Sequence, residues 1–131
     1  MEADVAIVGG GLSGIWCAYQ LGKAGKRVIL LEAKTIGSGA TKATTAFITA
    51  ALDTDFAELI ELYGEKTAKI IWQSGESAIN TIEETVDKEK IECDFSRCPA
   101  YIYAVNARQF EELEQEKIAA KRIGAHLTLK R

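Results

Sequence analysis

The run VAIVGGGLSG, Val5 to Gly14, constrains this chain more than any other stretch. Val5, Ala6, Ile7 and Val8 have the length and the β-branched character of a buried strand, and they lead straight into consecutive glycines. Glycine gives up more conformational freedom on folding than any other residue, so a cluster of it belongs where the backbone needs a positive φ or must approach something very closely. A ligand is the expected neighbour. Beyond the glycines, LSGIWCAYQLGKAG brings Leu12, Ile15, Trp16, Tyr19 and Leu21 at helical spacing, with Gly22 and Gly25 where that helix frays and stops. RVILLE supplies a second strand, Val28 to Leu31, ending on Glu32. The unit from Asp4 to Glu32 therefore reads as βαβ: a parallel strand pair joined by a crossover helix.

Within it the glycines fall at Gly9, Gly11 and Gly14, the spacing G-x-G-x-x-G, and each has its own task. Gly9 makes the tight turn out of the strand, Gly11 lets a pyrophosphate lie against bare backbone, and Gly14 lets the helix pack close to the sheet. The helix starting near Leu12 and Ser13 points its unpaired N–H groups and positive dipole end at that pyrophosphate. Glu32 lies 18 residues beyond Gly14, where a carboxylate accepts hydrogen bonds from the hydroxyls of an adenosine ribose. An acid there also repels a 2′-phosphate, which argues against NADP. Taken alone, such a motif is equally a tight strand-to-helix connection. The strand before it, the helix and strand after it and the acid at the expected distance turn it into a dinucleotide site.

Composition narrows the partners. The chain has 131 residues, 47% hydrophobic and 27% charged, which suits one modest globular domain. Lys+Arg 16 against Asp+Glu 19 leaves a formal charge of −3, so no basic field invites nucleic acid or an anionic membrane. Small-molecule partners fit better; oligomeric state leaves no mark in the residues. The acidic start MEAD lacks the positive charge of a secretory signal, and no window reaches the roughly 18 uninterrupted apolar residues of a membrane span. Cys17, Cys93 and Cys98 form no CxxC and stand with one histidine, His126, indicating neither a disulfide framework nor a metal site. Cytoplasmic location is the expectation.

After Glu32, Ala33 and Lys34, the stretch TIGSGATKATTAFITAALD is dense in small residues and does not resume the strand–helix alternation of an ordinary NAD domain. It reads as a cofactor-hugging loop. Small residues such as Gly39, Ala40 and Ala46 let backbone N–H groups come near a ligand, and the hydroxyls of Ser38, Thr41, Thr44 and Thr45 can donate to phosphate or ribitol oxygens. The alternative is the start of a small-residue helix packed on a neighbour.

The pattern VAIVGGGLSGIWCAYQLGKAGKRVILLEAKTIGSGAT resembles the FAD-dependent oxidoreductases of the D-amino acid oxidase family, which includes glycine and sarcosine oxidases. GATKATTAF is similar to their second flavin-contacting segment, and GSGAT…TTA looks closest to members that carry an extra Rieske iron–sulphur domain. The later ECDFSRCPAYIYAVNARQFEELEQEKIAAKRIGAHL resembles the start of the family's substrate-binding domain. The resemblance covers nearly the whole chain but only the N-terminal part of the family's usual length. It implies FAD as cofactor, a small amine or amino acid as substrate, and a chain that is a fragment, a truncated product or a trimmed piece.

The remaining chain reads as scaffold. Asp53 or Thr54 can cap a helix carrying Phe56, Leu59, Ile60 and Leu62; Gly64 interrupts it, and Ala68, Ile71, Trp72, Gly75, Ile79, Ile82 and Val86 keep helical spacing. Trp72 and Tyr63, on apolar helical stripes, are read as packing residues. Tyr101 to Val105 reads as a strand, Asn106 with Gln109 as the cap of a helix from Ala107 to about Ile123, and Gly124 as its stop before a short strand at His126 to Leu129. Cys93, Cys98 and His126 are read as inert or structural.

The expected architecture is thus α/β: a Rossmann-type βαβ FAD-binding unit with its flavin loop over residues 1–50, a helical segment over 51–98, and over 99–131 the start of a mixed α+β substrate domain. The expected activity is oxidation of an amine or amino acid by hydride transfer to flavin, with no catalytic acid or base assigned among these residues. An NAD-binding dehydrogenase domain and a non-catalytic FAD-binding remnant stay open as alternatives.

Overall fold

The computed structural model describes residues 2–130. The chain divides into two compact units, Met1–Phe47 and Ile48–Arg131. In the first, strand β1 (Val5–Val8) is followed by helix α1 (Leu12–Lys23), strand β2 (Val28–Leu31) and a 3₁₀ turn at Ala40–Ala43. The strands pair in parallel with Val5 opposite Val28 and Val8 opposite Leu31. β-branched runs favour this pleated geometry, and the crossover helix packs against both strands. Asp4 ties the strand starts together: its carboxylate accepts from the Arg27 backbone N–H at 2.8 Å and from the Arg27 guanidinium at 3.1 Å.

The second unit holds helices α2 (Phe56–Glu89) and α3 (Ala107–Ile123). Gly64, at φ 77°, breaks α2 where its sequence predicts an interruption. The core lies between the two helices: Leu59, Ala68, Ala120, Ile123 and Ala125 are buried, with Phe56, Ile60, Ile71, Trp72 and Leu127 packed on them. Ala68 and Ala120 are fully covered, so small side chains bring the helix backbones close. Phe56 and Trp72 meet edge to face, ring centroids 5.2 Å apart, which makes Trp72 a packing residue. Asn106 caps α3 by accepting from the Gln109 N–H at 2.9 Å, while the Gln109 side chain accepts from Val105 N–H. Gly124, at φ 86°, closes that helix in the left-handed conformation.

Three local expectations are corrected. The N-cap of α2 is Asp55 rather than Asp53 or Thr54, and its side chain makes no capping bond. The cap comes instead from α3: the Glu116 carboxylate accepts from the N–H groups of Phe56 and Ala57. The segments Tyr101–Val105 and His126–Leu129 are not strands, since neither has a ladder partner among the described residues. Tyr101, Ile102, Tyr103 and Val105 are correspondingly exposed. Side-chain pattern alone does not make a strand; the backbone groups need a neighbour to bond. No described helix is long and apolar enough to cross a membrane.

Candidate FAD-binding site

The first unit contains an open cleft of about 530 Å³ at the ends of both strands and the start of α1. It is lined by Val8, Gly9, Gly11, Leu12, Ser13 and Gly14 from the first strand, turn and helix, and by Glu32, Ala33, Lys34, Ser38, Gly39, Ala40 and Thr41 from the segment after β2. Every site residue predicted from the sequence lies in this lining except Thr44, Thr45 and Ala46, which follow the 3₁₀ turn. Those three form a local turn of their own: the Thr44 hydroxyl accepts from the Ala46 N–H at 3.3 Å, and Ala46 sits at φ 61°.

The glycines act for different reasons. Gly9 takes φ 105°, a conformation that side chains resist, and its N–H donates to the Leu31 carbonyl at 2.8 Å, holding the turn against β2. A Cβ on Gly14 would stand 1.9 Å from the Gly9 carbonyl oxygen, so α1 can approach the turn only with glycine there. At Gly11 a Cβ would meet the Thr41 hydroxyl at 3.4 Å, an ordinary contact. The protein's own packing therefore does not demand glycine at Gly11.

At the start of α1 the Leu12 N–H donates to the Thr41 hydroxyl at 3.0 Å, joining positions 29 residues apart. The next two N–H groups, of Ser13 and Gly14, find no acceptor among the described residues. No acidic side chain occupies the first turn of the helix. Orphan donors at a positive helix end suit an anion. In the same cleft, the Glu32 carboxylate accepts from Gly10 N–H at 2.7 Å and from Lys34 N–H at 2.9 Å. These backbone donors, Gly10 foremost, hold its pKa below the ordinary 4.5. Each carboxylate oxygen keeps acceptor capacity beyond the one bond it makes. Gly10 was missed by the motif reading, where it occupies a variable position. It is buried, and its contact with Glu32 joins positions 22 apart, which no local spacing in the sequence marks.

A carboxylate and orphan backbone donors in one small-residue cleft fit the adenosine diphosphate portion of FAD: anion donors for phosphate, an acceptor for ribose. Residues 4–131 match the family described as FAD dependent oxidoreductase. The chain belongs to this family. FAD is the cofactor of the family, and the nicotinamide-dependent alternative falls away with it. Among curated relatives, the chain is 37% identical over 94% of its length to the "Putative Rieske 2Fe-2S iron-sulfur protein YhfW" of Bacillus subtilis, covering 24% of that protein. It is 32% identical over 94% of its length to the "Probable oxidoreductase OrdL" of Haemophilus influenzae, covering 28% of it. It is 31% identical over 95% of its length to the "Gamma-glutamylputrescine oxidoreductase" of Escherichia coli, covering 29% of it. The chain thus spans between 24% and 29% of these relatives. No solved structure matches it.

Among the described residues there is no group of acidic, histidine and cysteine side chains arranged to hold a metal ion. Cys17, Cys93 and Cys98 are free and exposed.

Proposed function

We propose that the cleft holds the adenosine diphosphate half of FAD, and that the protein carrying this chain oxidises an amine or amino acid. The observation that carries the reading is that Glu32 lines the same cleft as Ser13 and Gly14, whose N–H groups have no acceptor among the described residues. In this reading those N–H groups donate to phosphate oxygens, and the α1 dipole reinforces them. Gly11 leaves bare backbone for the pyrophosphate, while Glu32 accepts from the ribose hydroxyls. Ala33 and Lys34 continue the wall on the ribose side, and Ser38, Gly39, Ala40 and Thr41 close over it. Thr44, Thr45 and Ala46 belong to the proposal as the loop that continues from this wall.

Bound FAD supplies a two-electron acceptor, and the protein supplies orientation and exclusion of water. A hydride passes to that acceptor from the carbon beside the substrate nitrogen, and the nitrogen gives up a proton to solvent, leaving an imine that water hydrolyses. The amine or amino-acid class is supported by the likeness to gamma-glutamylputrescine oxidoreductase. The cleft residues have binding roles in this reading, and no catalytic acid or base is assigned among them. The test is the visible flavin spectrum of the purified full-length protein that carries this chain. It is expected to be yellow and to bleach without oxygen on addition of an amine or amino acid but not of NADH. Protein that stays colourless when supplied with FAD overturns the cofactor site; bleaching by NADH alone overturns the substrate class.

A further inference from the structure

We propose that Gly10 is a positioning residue for Glu32, setting where that carboxylate stands in the cleft through its N–H and through its missing side chain. The inference rests on the ribose role given to Glu32 above. Two observations carry it. The Gly10 N–H donates to Glu32 Oε2 at 2.7 Å, across 22 positions of sequence. A Cβ on Gly10 would lie 3.1 Å from Glu32 Cβ, 3.2 Å from its Cγ and 3.2 Å from Oε2. Such contacts are tighter than ordinary van der Waals distance, so the Glu32 side chain would have to give by a few tenths of an ångström.

The Gly10 backbone is itself anchored, because its carbonyl accepts from Gly37 N–H at 2.8 Å. With Lys34 N–H on the other oxygen, the carboxylate is held in a two-point backbone clamp before any ligand arrives. Preorganisation of this kind removes an ordering cost from binding. Gly10 is not at positive φ, unlike Gly9, so alanine there meets no backbone penalty and probes the side-chain space alone.

The experiment is a double-mutant cycle on FAD affinity with Gly10→Ala and Glu32→Ala, read beside the titration of the Glu32 carboxyl carbon by NMR in ligand-free protein. Gly10→Ala is expected to weaken FAD binding by about tenfold and to move the Glu32 titration up toward its ordinary value. Lys34 is the charged side chain that lines the same cleft, and it is unaltered in all variants. In the Glu32→Ala background, Gly10→Ala is expected to cost nothing more. A full additive cost, or an unmoved Glu32 titration, overturns the positioning role. If Glu32→Ala leaves affinity unchanged, the ribose reading fails, while the titration still decides whether Gly10 holds the carboxylate. Where Gly10→Ala does not fold, amide exchange answers the same question: Gly10 N–H should exchange faster in Glu32→Ala, and unchanged protection overturns the inference.

Discussion

At the residue scale the site is a division of labour among glycines, and substitutions should separate it. Gly14→Ala drives a Cβ into the Gly9 carbonyl, and overpacking against backbone costs about 1–3 kcal/mol; a lowered unfolding midpoint of the ligand-free protein checks this. Gly11→Val should leave that midpoint nearly unchanged, because its first added atom meets only the Thr41 hydroxyl at 3.4 Å, yet abolish FAD binding by filling the pyrophosphate space. Retained yellow colour in Gly11→Val would refute the phosphate role. The carboxylates predict an acid limit. Asp4, bonded first by the Arg27 guanidinium and then by its N–H, titrates below its ordinary 3.8, and Glu32 titrates below 4.5. Depressed folded values mean that their stabilisation is present above 4.5 and 3.8 and is lost as pH falls through the lower folded values. Thermal midpoints should decline as pH drops below 4.5, and Asp4→Asn should flatten the lower part of that decline. The fingerprint glycines and Glu32 were legible in the sequence because each is fixed by local chain geometry and spacing. Gly10 was not, since its role is a contact with a residue 22 positions away.

At the element scale, periodicity identified β1, α1, β2, the broken α2 and α3, because amphipathic spacing and glycine stops act within each segment. It failed at Tyr101–Val105 and His126–Leu129, where alternation is present but a ladder partner is not. Leu127 still packs on the helical core and His126 stays exposed, so the alternation orders side chains without making a strand. It also failed at the start of α2, where the cap is supplied by Glu116 from another helix and no local motif encodes it. Glu116→Ala removes the acceptor for two N–H groups at that helix end. Loss of a helix cap costs about 0.5–2 kcal/mol, so the denaturation midpoint should fall, and amide exchange in the N-terminal turn of α2 should quicken. Glu116→Gln, which keeps an acceptor oxygen, should recover part of the loss.

At the scale of the whole molecule, a two-stranded parallel sheet leaves Val8 and Leu31 exposed at the rim of the cleft, whereas parallel strands are ordinarily buried on both faces. Residues 1–131 by themselves should therefore give no amine oxidation. Hydride transfer needs the donor carbon held at near-contact distance from the flavin, and misplacement costs orders of magnitude in rate. The check is turnover of small amines and amino acids by this chain with excess FAD, compared with free flavin. Turnover clearly above that background would locate the active site within these residues. The capping of α2 from α3 has one more consequence, in the order of events during synthesis. The βαβ unit closes by contacts among its first thirty or so residues, but the first turn of α2 waits for a side chain 60 positions downstream. A chain emerging from the ribosome N-terminus first should thus shape its glycine turn early, and leave the leading turn of α2 frayed until Glu116 has cleared the exit tunnel.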